Sequence, residues 1–173
     1  MPELQEFLVD QLKDLLSAEG QLVKALPKLA RAAQNPKLKA AFQKHTEETK
    51  GQVERLKQIF EILGESARAK PCKAMQGLVE EGLELLEEGK QKDGAVSDLG
   101  LVAAAQKIEH YEIAGYGTVR TMAEQLGQKK VAKLLQQTLK EEEKTDQLLT
   151  QLSPPLLERA SMVGEEEEEL VED

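Results

Sequence analysis

Leucines recur at three- and four-residue intervals from the start of the chain. Leu4, Leu8, Leu12, Leu15, Leu22, Leu26 and Leu29 form one stripe, and Glu19 lies inside it. This is the period that puts side chains on a single helix face, so it predicts a first helix over about 3–33. Pro27 would kink or locally break that helix, because proline has no N–H to donate. Asn35-Pro36 reads as a turn with proline opening the next helix. The second helix covers about 36–63, with Leu38, Phe42, His45, Val53, Leu56, Ile59 and Leu63 near one stripe and Gly64 as its cap. The connection at 65–94 contains a shorter helix over 72–88, which carries Met75, Leu78, Val79, Leu83, Leu85 and Leu86. A third long helix over 95–126 turns Leu101, Ala105, Ile108, Glu112, Tyr116, Val119 and Leu126 inward, and Gly127 closes it. The fourth, over 128–152, is expected to stop before Pro154-Pro155.

No stretch alternates with period two, so no strand is predicted. Two long helices, a long crossover and two more long helices imply an all-α antiparallel four-helix bundle with an extra crossover helix. The bundle domain is expected over 1–153. The remainder, 154–173, ends in the acidic run GEEEEELVED and is expected to be a disordered, solvated tail.

Composition narrows the function classes. With 32 acidic and 23 basic residues the net charge is −9. This argues against nonspecific nucleic-acid binding, which needs a basic surface. No run of about 18 apolar residues exists to span a membrane. The N-terminus MPELQEFLVD shows no secretory signal. A single cysteine, Cys72, forms no internal disulfide and suits a reducing, cytoplasmic setting. It stands at a helix start after Pro71 and reads as a small buried residue.

The chemistry lies in carboxylates at core phase. Glu19 shares the leucine stripe of its helix. Glu109 and Glu112 are three residues apart and meet on one face, flanked by Ile108 and Tyr116. Glu142 lies in phase with Leu135, Leu139 and Leu149. Glu48 stands mid-helix in HTEETKGQV. All fall near the midpoints of their helices, so they can meet at one level of a bundle. Burying a carboxylate costs several kcal/mol unless it is paired, hydrogen-bonded or metal-bound, and a belt of them points to a bound pair of cations. The candidate metal ligands are Glu19, Glu48, Glu109, Glu112 and Glu142. Asp146 and Glu143 compete with Glu142 as the ligand from the last helix. His45, three residues before Glu48, is either a ligand or a neighbour one turn away. Tyr116 either packs in the core or hydrogen-bonds a ligand carboxylate. Glu80, Glu81, Glu87, Glu88 and Glu141 read as a solvated face, and His110 as surface or interface.

The stretches SAEGQLVKALPKLARAA, HTEETKGQVERL, AAAQKIEHYEIAGYGTVRTMAEQLG and LKEEEKTDQLLTQLS resemble the bacterial YciE/YciF family of ferritin-like stress proteins, over about 3–152. The resemblance implies a ferritin-like fold close to rubrerythrin, a homodimer, a dimetal centre and a link to stress responses. One departure stands out. Ferritin-like dimetal sites usually carry Glu-x-x-His on two helices. Here helix two reads His45-x-x-Glu48, and Gly51 holds the expected histidine position. A site rich in oxygen donors favours manganese or iron. The expected arrangement is two divalent ions, iron or manganese, bridged by Glu48 and Glu112, with Glu19, Glu109 and Glu142 as terminal ligands. If redox-active, such a centre would oxidise ferrous iron. The rival expectation is a structural or partner-binding bundle without a catalytic metal. For the homodimer, Tyr111, Val102, Gly115 and Gly117 offer a second, smaller face on the third helix, unless the glycines only make room for the crossover helix.

Overall fold

The computed structural model describes residues 2–171, with side chains to residue 162. Five helices follow in order: α1 (Pro2–Ala32), α2 (Pro36–Leu63), α3 (Lys73–Gly89), α4 (Gly94–Gln125) and α5 (Lys129–Val171). No strand occurs among the described residues. α1 neighbours α2 and α4, and α5 neighbours the same two helices, which closes a ring of four. α3 lies outside the ring against α4 and α1. This is the ferritin-like four-helix bundle with its crossover helix.

The core comes in two parts. One cluster holds Leu22, Leu26, Leu29, Leu38, Phe42, Met75, Leu101, Ile108, Leu149 and Leu156. The other holds Leu8, Leu12, Leu15, Leu56, Ile59, Phe60, Tyr116, Val119, Leu135 and Leu139. Along α1 and α5 the chain passes from the second cluster to the first, and along α2 and α4 from the first to the second. The ring neighbours are therefore antiparallel. α2 and α4 run the same way, which is why a crossover must carry the chain back along the bundle between them.

Local signals place most boundaries. The Asn35 side chain caps α2 by accepting from the N–H groups of Lys37 (2.9 Å) and Leu38 (3.2 Å). Gly64 and Gly127 close α2 and α4 with φ of 69° and 71°, a region open to glycine at little steric cost. α3 begins at Cys72, whose Sγ accepts from the Met75 N–H at 3.4 Å. The tight α1–α2 turn is held from outside. Buried Asp98 of α4 accepts from the Gln34 N–H at 2.9 Å and the Asn35 N–H at 2.6 Å.

Several expectations change. α1 is unbroken across Pro27: buried Leu26 and Leu29 hold the segment against the core on both sides of the proline. α5 does not stop before Pro154-Pro155 but runs through both. Leu152 and Leu156 are both buried in the first cluster, so packing carries the helix past the missing donors. The tail expected to be disordered over 154–173 continues α5 as far as Val171 and places Leu156 in the core, and the side chains of its acidic run lie outside those described. Finally, the small face expected on α4 is mostly not free. Val102 is in the core, and Gly115 makes room for α1 rather than for α3. A Cβ at residue 115 would lie 2.9 Å from Leu15 Cδ2. Only Gly117 looks onto open space.

The Asp98 clamp generates a prediction. Hydrogen bonds to a charged group contribute about 1.5–3 kcal/mol each. With two such bonds, Asp98→Ala should lower unfolding free energy by about 3–6 kcal/mol in urea titrations. A loss below about 1 kcal/mol would show that the turn holds itself.

A buried carboxylate and histidine belt

Between the two apolar clusters every helix of the ring turns a polar side chain inward. α1 contributes Glu19, α2 His45, α4 Glu109 and Glu112, and α5 Glu142, all buried. Each occupies the helical position where an apolar residue would continue the stripe, so the periodicity that builds the core also aims these groups at one another. His45, Glu109, Glu112 and Glu142 can each offer a ligand atom such that the four atoms lie within 4.8 Å of one another. His45 Nε2 is 3.0 Å from Glu109 Oε1 and 3.7 Å from Glu142 Oε2. Glu19 completes the belt beside Glu112. It accepts a hydrogen bond from the Tyr116 hydroxyl through Oε1.

What these atoms lack is informative. Glu19 Oε2, His45 Nε2, Glu109 Oε2, both oxygens of Glu112 and both of Glu142 are buried without a hydrogen-bond partner. Nε2 approaches Glu109 at 3.0 Å but without the direction of a hydrogen bond. Buried polar atoms are nearly always satisfied, and clustered orphans at one level need a common partner. Oxygen donors with one imidazole are the ligand set of manganese or iron. The residues thus fit a cation centre.

The other candidates are placed differently. Glu48 is only partly buried, with 25% of its side chain exposed, and it pairs with Lys44 at 3.0 Å. Its Oε2 lies 3.8 Å from His45 Nδ1, on the side of the ring away from the belt. Glu143 is exposed. Asp146 belongs to a separate surface group, 3.2 Å from His110 Nε2 and 3.1 Å from Gln106 Nε2. Of the three candidates on the last helix, the one brought into the belt is Glu142. Cys72 is buried, and its Sγ lies 2.9 Å from the Tyr111 hydroxyl, which donates to Asp14 at 2.5 Å.

The sequence profile of a family described as a domain of unknown function, DUF892, matches residues 3–162. The chain belongs to the DUF892 family. It is 49% identical over 154 residues to protein YciF of Escherichia coli K12, covering 88% of this chain and 92% of YciF. Its fold matches the crystal structure of that E. coli stress protein with a TM-score of 0.86, 48% identity and coverage of 91% and 99% of the two chains. YcfI from Rhodopseudomonas palustris gives a TM-score of 0.81 at 39% identity, over 85% and 92%. A Xanthomonas campestris protein shares the fold alone, with a TM-score of 0.73 at 21% identity over 95% and 99%.

Two features of this DUF892 chain escaped sequence reasoning. Thr145 is buried in the belt layer, its Oγ1 3.5 Å from His45 Nδ1. The signal was its place on the stripe three residues after Glu142. Glu141, read as solvated, binds Arg55 at 3.0 Å and 2.9 Å and buried Gln52 at 3.1 Å, tying α5 to α2 beside the belt.

Burial dominates the electrostatics. It pushes the Glu19 carboxyl up to about 7, against the lowering pull of the Tyr116 hydrogen bond. Burial also raises Glu112, with the charges of Glu19 and Glu142 adding to it, and Glu142, with Glu109 adding. For His45 burial opposes the charged ring, but Glu109, Glu48 and Glu142 outweigh it and hold the ring well above its ordinary value. Glu48 goes the other way, lowered by His45 and Lys44.

These directions fix a pH dependence for metal-free protein. A group whose pKa is raised by folding stabilises the fold below its unfolded value, and that stability is lost as pH rises through the folded value. For Glu19 the window runs from 4.5 to about 7. Glu112, Glu142 and His45 share its sign. Glu48 has the opposite sign, with a window below 4.5. Chelated protein should melt at higher temperature at pH 5 than at pH 8. Glu19 alone contributes on the order of 1–3 kcal/mol, at about 1.4 kcal/mol per pKa unit. Thermal melts in the presence of a chelator check this, and a melting temperature that climbs from pH 5 to pH 8 contradicts it.

Proposed function

We propose that this protein is a ferritin-like dimetal-binding protein of bacterial stress physiology, carrying iron or manganese in the belt. The observation that carries the reading is the convergence of unpartnered buried donor atoms from all four helices of the ring. Its inner ligands are His45, Glu109, Glu112 and Glu142, with Glu19 completing the set. Glu112, both of whose oxygens are buried and unpartnered, is the natural bridge. The bridging expected of Glu48 gives way in this reading to a place at the solvent side, where its carboxylate meets incoming cations first.

The chain's own groups shape what the centre does. The Tyr116 hydroxyl occupies Glu19 Oε1 and leaves Oε2 to bind. The apolar clusters on either side exclude water, which strengthens every charge interaction inside. A bound iron pair would supply redox chemistry towards dioxygen or peroxide, with ferrous iron as the substrate. The stress link draws on YciF, described as a stress protein. A cytoplasmic setting draws on the free, buried Cys72. No helix among the described residues is long and apolar enough to cross a membrane. The rival reading, a structural or partner-binding bundle, would fill the belt with protons instead, and the raised carboxyl values are its support.

Elemental analysis separates the two. Protein purified after growth with iron and manganese should carry about two ions per chain. Glu112→Gln should lower that content by about half or more, because a neutral amide bridges poorly. Metal-free wild-type protein, or unchanged content in Glu112→Gln, would count against the reading.

The homodimer is part of the same proposal. An apolar groove between α1 and α4, lined by Leu4, Ile113, Gly117 and Met122, is open to a second copy, and half-exposed Phe7 stands one turn from Leu4. Sedimentation at micromolar concentration should give twice the chain mass of 19.2 kDa. A strict monomer ends the dimer claim and leaves the metal claim intact.

A further inference from the structure

His45 can serve a cation through Nε2 only if its other nitrogen keeps its hydrogen, since a neutral imidazole carries a hydrogen on one nitrogen and a lone pair on the other. The groups around that other nitrogen are acceptors. Thr145 Oγ1 donates its hydrogen to the Glu141 carbonyl at 3.1 Å. Towards His45 Nδ1, 3.5 Å away, the hydroxyl is therefore left with lone pairs. Glu48 Oε2, 3.8 Å from the same nitrogen, is a carboxylate oxygen. On the opposite edge of the ring, Nε2 faces Glu109 and Glu142 without a hydrogen-bond partner. The helix fixes this placement. Thr145 lies three residues after Glu142 on the same face of α5, and the bond back to residue 141 locks its rotamer.

We propose that Thr145 is a positioning residue, which holds the His45 ring with Nδ1–H towards α5 and turns the Nε2 lone pair to the cations of the belt. Glu48 supports it from the solvent side. The inference rests on the dimetal reading and names what orients that centre's one nitrogen ligand. Groups that hold the second nitrogen of a metal-bound histidine typically change affinity 10- to 100-fold when removed. Thr145→Val replaces the hydroxyl by a methyl of the same size, so packing is kept while the acceptor is lost. Thr145→Ser keeps the acceptor.

Zinc ion is the probe, because it is diamagnetic and is held by the same imidazole nitrogen. The chain has two histidines, so a His110→Gln background leaves His45 as the only imidazole in a nitrogen-15 spectrum. In zinc-loaded protein we expect Nδ1 to carry a slowly exchanging hydrogen and Nε2 to show the shift of a metal-bound nitrogen. Thr145→Val should weaken zinc binding ~10- to 100-fold in competition with a chelator and speed exchange of the Nδ1 hydrogen. Thr145→Ser should restore both to within about threefold of the background protein. Zinc bound through Nδ1, read on the His110→Gln protein alone, overturns the proposal even if Thr145→Val does not fold. Equal zinc affinity and an unchanged Nδ1–H signal in Thr145→Val overturn it as well, and leave the metal reading standing. If the His110→Gln protein takes up no zinc, the metal reading fails and this inference fails with it.

Discussion

The structure turns on one polar layer. Four buried glutamates and a buried histidine cross the middle of the bundle and divide its core into two apolar clusters. Isolated buried carboxylates are expensive, and like charges close together raise the expense further. A chain selected for stability alone would fill this layer with apolar side chains, as α1 does one turn above and below with Leu15 and Leu22. The two clusters on either side hold the helices in register, and in the proposed reading a group of cations satisfies what the protein leaves unpaired. Apolar packing thus provides the rigidity, and the belt uses it.

Rigidity at the belt also depends on contacts outside it. Asp98 ties the α1–α2 turn to α4. Ser17 and Gln21 of α1 hold the start of α3, accepting from the Cys72 N–H at 3.0 Å and donating to the Cys72 carbonyl at 3.1 Å. Arg55 and Gln52 of α2 grip Glu141 of α5. Each of these joins two ring helices, or a ring helix and the crossover, near the level of the belt or at one end. Donor atoms on four separate helices can stay within a few ångströms only if the helices cannot slide, and these polar clamps supply directional restraint that apolar packing lacks.

Helical phase made much of this legible. The five helices and the inward aim of Glu19, Glu109, Glu112 and Glu142 follow from the three- and four-residue spacing, and Gly64 marks the end of α2. Where phase was ambiguous the reading failed to discriminate. Glu48 and His45 are three residues apart and both lie near the core side, yet only His45 is fully buried. On α5 the stripe continues from Glu142 through Thr145 to Leu149, so Asp146 turns out towards His110 instead. Nothing in composition marks Thr145, because its contribution is a lone pair directed at a ring on another helix. The prolines failed as stop signals for a related reason. Local propensity at Pro27 and Pro154-Pro155 opposes the helix, but Leu26, Leu29, Leu152 and Leu156 bury enough apolar surface to override it.

The reversed order on α2 then has a physical explanation. A histidine three residues after Glu48 would sit at position 51, and that position is exposed, with no atom within 4 Å of where a Cβ would stand. Position 45, six residues and nearly two turns earlier, is buried and level with Glu109 of α4 and Thr145 of α5. α2 runs parallel to α4 and antiparallel to α5, so this shift back along it moves the ring towards the Glu109 end of the belt and the Glu142–Thr145 turn. The carboxylate at position 48, left on the solvent side, stands behind the ring instead of across the centre. His45-x-x-Glu48 is therefore the familiar pairing of histidine and glutamate displaced by one turn, with the inward and outward members exchanged. What the exchange requires is an acceptor on the neighbouring helix at the height of the displaced ring, and α5 places Thr145 there.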